Sequence, residues 1–231
     1  ITQTLQKAIS AGTIAQAYLF CGPRGVGKTT SARIFARAIN GFAPDDDAMA
    51  FNVFELDAAS NNKVEDIRSI VEQVRIPPQH GVYKVYIIDE VHMLSQAAFN
   101  AFLKTLEEPP AHVKFIMATT DIHKVPQTII SRCQRFDFLP MTNTVIKDRL
   151  NHILEVESVK IDDTSLELIA SKSDGSMRDA LGFLDQVLVF SDKEITSQIV
   201  TDLLGIVPSE IYFDITNALH DKDGDSLVSV I

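Results

Sequence analysis

The sequence predicts an α/β protein in which a parallel sheet lies between helices, followed by a small all-helical domain. Three observations carry that prediction. From Gln16 onward short apolar runs alternate with helical stretches, a glycine-rich loop joins the first run to the first long helix, and no convincing strand follows Pro140. The 231 residues suit one ordinary domain or two small ones. At 45% apolar and 23% charged, the composition excludes disorder, collagen and coiled coil.

Ala17 to Cys21 reads as the first strand and Lys28 to Asn40 as a helix with Ala32, Ile34, Phe35 and Ile39 available for packing. Gly41 to Ala50 is a turn-rich acidic loop. Asn52 to Asp57 is the second strand, and Val64, Ile67, Ile70, Val71 and Val74 keep helical spacing up to a stop at Pro77 and Pro78. Val82 to Ile88 has the β-rich, largely apolar character of a central strand. Ser95 to Glu108 is a helix with Phe99, Phe102, Leu103 and Leu106 on one side, ended by Pro109 and Pro110. Val113 to Thr119 and Arg135 to Leu139 complete the strands. From Thr142, a cap position, the pattern is helical, with Val145, Ile146, Leu150, Ile153 and Leu154 on one helix, Leu166, Ile169 and Ala170 on a second, and Leu181, Leu184, Val187 and Leu188 on a third. A further helical segment begins near Leu204.

The net charge of −10 is unevenly spread. Residues 1–140 hold 14 basic against 14 acidic residues, and residues 141–231 hold 7 against 17, so a polyanion should meet the first part through a local patch. No apolar run approaches the roughly 18 residues of a membrane span, and ITQTLQKAIS lacks a signal-peptide layout, so the chain reads as cytoplasmic with no membrane partner. Cys21 and Cys133 form neither a disulfide framework nor a four-ligand zinc site; buried free thiols are expected.

Gly22, Pro23, Arg24, Gly25, Val26, Gly27, Lys28 and Thr29 read GPRGVGKT, a full phosphate-loop match set between a strand and a helix and continued by Thr30. Its glycines let backbone N–H groups turn toward phosphate oxygens, and the helix N-terminus adds positive potential. Lys28 is placed for the β/γ-phosphates and the Thr29 hydroxyl for Mg²⁺. Asp89 and Glu90 follow the apolar run VYII, which suits Asp89 to order Mg²⁺ through its water shell and Glu90 to polarise an attacking water. Together they indicate NTP hydrolysis. His92 lies beside these acids, but no second ligand has metal spacing with it, so it reads as a packing or hydrogen-bonding residue.

The blocks GPRGVGKT, ELDAASNN (55–62), YKVYIIDEVHMLS (83–95), FNAFLKTLEEPP (99–110) and SRCQRFDF (131–138) resemble the tau/gamma family of bacterial DNA polymerase III clamp-loader subunits, within the AAA+ superfamily. The resemblance implies ATP and Mg²⁺ as cofactors, Thr120 as a polar sensor of the γ-phosphate, Arg132 as a finger reaching a neighbouring subunit's ATP, and Arg178 as a contact from the helical lid. It also implies an AAA+ nucleotide-binding domain at 1–140, a lid at 141–204 and the start of an oligomerising collar at 205–231, with N-terminal residues that enclose adenine missing. The expected partners are other loader subunits in a five-subunit ring or spiral, the sliding clamp and primer-template DNA. Family members usually carry a four-cysteine zinc module where this chain has GFAPDDDAMA, and no zinc is expected here. Asp57 to Asn62 fits two readings, a helix-capping turn and a polar helix N-terminus whose Ser60, Asn61, Asn62 and Lys63 meet a DNA phosphate. A branch-migration helicase of the same superfamily and a non-hydrolysing scaffold subunit are the competing functions; the intact Gly22, Gly27, Lys28, Thr29, Asp89 and Glu90 speak against the scaffold.

Overall fold

Apolar side chains at successive positions of a strand point to opposite sides, so a strand buried along its whole length needs cover on both. The computed structural model, which describes residues 1–43, 46, 49–190, 194–206 and 209–221, shows this arrangement. Strands β1 (Ala17–Cys21), β2 (Val53–Asp57), β3 (Lys84–Asp89), β4 (Val113–Thr119) and β5 (Gln134–Asp137) form a parallel sheet in the order β2-β3-β4-β1-β5. Ala17, Leu19 and Cys21 join Tyr86, Ile88, Phe115 and Met117 on one face, under helices α4 (Val64–Gln73) and α5 (Gln96–Glu107). Tyr18 and Phe20 join Val85, Ile87, Ile116 and Ala118 on the other, under α1 (Thr2–Ser10) and α2 (Lys28–Asn40). Edge-to-face contacts lock both layers, Phe102 on Phe115 and Tyr18 on Phe35, each with ring centroids 4.9 Å apart. In α2 the inward positions are Ala32, Phe35, Ala36 and Ile39; Ile34, expected to pack, falls outside that spacing and is 55% exposed.

Between α2 and β2 the expected loop is partly helical, with a single turn α3 (Met49–Asn52); Pro44, Asp45, Asp47 and Ala48 lie outside the described residues. Asn52 explains why β2 begins one residue late. Its buried amide donates to the carbonyls of His80 and Tyr83, holding the approach to β3. Helix α4 ends at Gln73, before the prolines. The nearly buried Lys84 ammonium donates to Gln73 O (3.0 Å) and Ile76 O (3.3 Å), giving the helix end a cationic cap from the neighbouring strand. That burial lowers the Lys84 pKa.

The chain divides into two compact units, Ile1–Pro140 and Met141–Ile231. The second is built from α7 (Asn143–Glu157), α8 (Asp163–Lys172), α9 (Met177–Phe190), α10 (Ser197–Leu204) and α11 (Ser209–Asp221), the single turn α6 (Gln127–Ile130) belonging to the first. Its core gathers Ile146, Leu150, Leu154, Leu166, Ile169, Leu184 and Val187, while Val145 turns outward. Thr142 caps α7 by accepting from Val145 N–H. The unit is not wholly helical as expected. β6 (Lys160–Ile161) pairs in parallel with β7 (Glu194–Ile195), segments too short to show a period of two. Asp162 binds this corner together, accepting from Ser165 N–H (2.6 Å) to cap α8 and from Ser197 N–H (3.0 Å) at the start of α10. Of the segment 205–231 expected to begin a collar, residues 207, 208 and 222–231 lie outside the described residues.

Two glycines give opposite expectations. Gly22 has φ +147°, and a Cβ there would lie 2.2 Å from the Phe138 carbonyl oxygen, so Gly22→Ala should destabilise by about 2–3 kcal/mol. Gly182 sits exposed inside α9 with open space where a Cβ would go, so Gly182→Ala should stabilise by about 0.5–1 kcal/mol. Denaturant titration of each variant checks the signs.

Candidate functional site

Parallel pairing brings every strand's C-terminal end to one edge: Cys21 lies opposite Thr119 and Asp137, and Asp57 opposite Asp89. At this edge Gly22 to Gly27 turns the chain from β1 into α2. Gly22, Gly25 and Gly27 all have positive φ, and Gly27 caps α2 in the left-handed region. With no side-chain cap at Gly27, the N–H groups of the first turn remain available to an anion. Lys28 is only 6% exposed, and its ammonium arches back to Gly22 O (2.9 Å) and Pro23 O (2.7 Å). A buried cation beside open helix amides suits a polyphosphate.

The Thr29 hydroxyl donates to Asp89 Oδ2 at 2.5 Å, and Asp89 Oδ1 accepts the Glu90 N–H at 2.9 Å. Glu90 itself is left-handed, φ 47° and ψ 44°, a conformation that costs a non-glycine residue about 1–2 kcal/mol. Ala58 N–H to Asp89 O and Met93 N–H to Glu90 O pin the bend. The bend carries the Glu90 carboxylate toward the end of β4. There Oε2 accepts from the Thr120 hydroxyl (2.9 Å) and the Thr120 N–H (3.3 Å) and lies 3.3 Å from His92 Nδ1. His92 Nδ1 is also 3.0 Å from the buried Thr119 hydroxyl.

Lys28, Thr29, Asp89, Glu90 and Thr120, chosen from sequence, are thus gathered at one mouth, with Val26 buried and Pro23, Arg24 and Thr30 exposed around it. Thr29 and Asp89 offer a hydroxyl and a carboxylate that would hold a divalent cation jointly with nucleotide phosphates. Arg132 is engaged elsewhere, with Nη2 bonded to Glu107 Oε1 (2.7 Å) and Nη1 to Thr128 O (2.7 Å). Arg178 is exposed in the first turn of α9. Sequence reasoning missed Glu107 and Thr119. The signal for Glu107 was available: an acid in the last turn of α5 opposes the helix dipole and needs a cation partner. Thr119 carried none, because only strand register places it against His92. The Asp57 turn satisfies itself, with Asp57 Oδ1 accepting from Ala59 N–H and the Lys63 N–H donating to Asp66, while Ser60, Asn62 and Lys63 are exposed.

Residues 1–142 match the family model described as "DNA polymerase III, delta subunit", and residues 145–193 match "DNA polymerase III clamp loader subunit, ATPase lid domain". The chain is 49% identical to DNA polymerase III subunit tau of Bacillus subtilis, over 96% of this chain and 42% of that protein. It is 39% identical to the gamma subunit of Buchnera aphidicola subsp. Schizaphis graminum, over 100% of this chain and 68% of that protein. The chain therefore spans about two fifths of the length of the tau subunits it matches. In fold it is similar to the RuvB Holliday junction branch migration motor of Thermotoga maritima (TM-score 0.69, 20% identity, 96% of this chain and 74% of that one). It is also similar to a DNA polymerase III gamma subunit-related protein of the same organism (TM-score 0.61, 19% identity, 99% and 75%). Among the described residues no helix is long and apolar enough to cross a membrane.

The two thiols behind the site are unpaired with each other. Burial pushes the Cys133 thiol up to about 12, with the nearby Cys21 thiol adding to the rise, and burial also raises Cys21. A thiol pKa higher in the folded than in the unfolded chain means that thiolate formation favours unfolding. The Cys133 contribution to stability should fall as pH rises from about 9 toward 12. At pH 8 Ellman's reagent should label both cysteines at least about tenfold more slowly in the native protein than in denaturant.

Proposed function

The chain belongs to the tau/gamma family of DNA polymerase III clamp-loader subunits, and from that premise we propose that it is the ATP-hydrolysing motor of a sliding-clamp loader. The observation that carries the reading is the hydrogen-bonded link from Thr29 through Asp89 to Glu90 and Thr120 at the mouth of the phosphate loop. A strained Glu90 linked through Asp89 to Thr29, next in the chain to the buried Lys28, favours a hydrolysing subunit over a scaffold.

In this reading the loop amides and Lys28 hold the ATP phosphates. Thr29 and Asp89 would hold Mg²⁺, which supplies positive charge to the phosphate oxygens when bound. Glu90 takes a proton from the attacking water, and Thr120 orients both the carboxylate and the γ-phosphate. Arg132, raised to the surface between α6 and β5, offers its charge to the nucleotide of a neighbouring subunit, so full activity requires assembly. Arg178 contacts ATP from the helical lid. ATP binding favours the assembled, clamp-gripping state of a five-subunit ring or spiral, and hydrolysis triggered by primer-template DNA releases the clamp. A branch-migration motor is the weaker reading, since the likeness to RuvB stands at 20% identity against 39–49% for the polymerase III subunits.

The test is steady-state ATP hydrolysis by the full-length protein assembled with its partner subunits, with and without clamp plus primed DNA. Clamp and DNA together should stimulate turnover. Lys28→Ala should lose nucleotide binding, Glu90→Gln should bind ATP but lose about a hundredfold or more in kcat, and Arg132→Ala should lose the stimulated rate. Turnover indifferent to the clamp would overturn the loader reading.

A further inference from the structure

By sequence His92 reads as a packing or hydrogen-bonding residue, and its surroundings give it more to do. It lies in the short 3-10 turn Val91–Met93 immediately after Glu90, and its side chain is 9% exposed. Nδ1 lies 3.3 Å from Glu90 Oε2 and 3.0 Å from Thr119 Oγ1. Thr119 in turn accepts the Asp121 N–H at 3.0 Å, which fixes its hydroxyl oxygen against the start of the loop after β4. Among the described residues the hydrogen bonds to the Glu90 carboxylate both fall on Oε2, from the Thr120 hydroxyl and the Thr120 N–H, and His92 Nδ1 lies 3.3 Å from the same oxygen. Oε1 takes no part in these contacts, on a side chain that is 30% exposed.

We propose that His92 is a positioning residue for Glu90: its Nδ1–H, shared between Glu90 Oε2 and Thr119 Oγ1, holds one carboxylate oxygen so that the other is presented to the attacking water. The inference rests on the ATPase reading above and adds to it. We assign the hydrogen to Nδ1, because a lone pair there would face a carboxylate oxygen 3.3 Å away and be repelled. Thr120 alone cannot fix the carboxylate. Its two donors approach Oε2 from one residue, and Thr120 is itself required to turn toward the γ-phosphate. His92 approaches from Glu90's own strand-end turn and links the base to the fully buried Thr119 at the end of β4. A general base gains from such support because a small misplacement of the oxygen toward its proton is costly in rate.

The experiment uses the full-length protein assembled with its partner subunits, clamp and primed DNA. It compares wild type with Glu90→Gln, His92→Ala, His92→Asn and His92→Gln, recording kcat, KM for ATP, the Kd of a fluorescent nucleotide and the melting temperature. An asparagine places its amide nitrogen on Cγ, as Nδ1 is placed in histidine; a glutamine places it one atom further out. His92→Ala and His92→Gln should lose roughly 10- to 100-fold in kcat with KM and nucleotide Kd unchanged, and His92→Asn should recover most of the rate. If His92→Ala lowers the melting temperature, the contrast between the asparagine and glutamine variants decides. A kcat within twofold of wild type for His92→Ala, a loss confined to KM or Kd, or equal recovery by asparagine and glutamine overturns the proposal. Glu90→Gln turning over at the wild-type rate would remove Glu90 as the base and the role of His92 with it, whereas no hydrolysis by the assembled wild-type protein would overturn the ATPase reading. An inactive Glu90→Gln beside a fully active His92→Ala defeats only the role of His92.

Discussion

Thr29 and Asp89 meet across a sheet in which β4 separates their strands, and that single hydrogen bond sets the spacing on which the rest of the edge depends. It ties the start of α2 to the end of β3. The phosphate loop then has a fixed exit, the Asp89 carboxylate a fixed orientation and the Glu90 N–H a fixed acceptor. Only a parallel sheet can arrange this, because every crossover returns the chain to the same starting edge and leaves all the strand ends together at the other. The apolar faces above and below keep the strands in register, so the packing of Phe102 or Phe35 far from the edge is part of what positions a hydroxyl there.

What the sequence made legible follows from how local each signal is. β1 is an unbroken apolar run, β4 is apolar but for Lys114 and its terminal Thr119, and the Gly27 to Gly41 frame of α2 is written in its caps, so all three were read to the residue. The end of α4 was not, because the agent that stops it is Lys84, a residue on another strand reaching the carbonyls of Gln73 and Ile76. β6 and β7 are two residues each and acquire strand character only from one another. At the candidate site the residues in contiguous motifs, Lys28, Thr29, Asp89 and Glu90, were visible, whereas the partnership of His92 with Thr119 joins positions 27 residues apart and exists only in the register of β3 with β4.

Arg132 and Glu107 illustrate how weak bonds serve an assembly. Both side chains are substantially exposed, so their ion pair contributes at most about 1 kcal/mol in water. In the proposed ring this is an advantage. The guanidinium is held in place by an interaction that a phosphate, carrying more charge at a less hydrated interface, can exchange at little cost.

Glu90 occupies a backbone conformation suited to glycine, the residue that would relieve it most fully. A library of variants screened only for resistance to heat would therefore favour Glu90→Gly and discard the carboxylate along with the strain. In the proposed ATPase, turnover and robustness make opposite demands on this position, so a stabilised version of this protein must be sought elsewhere in the chain.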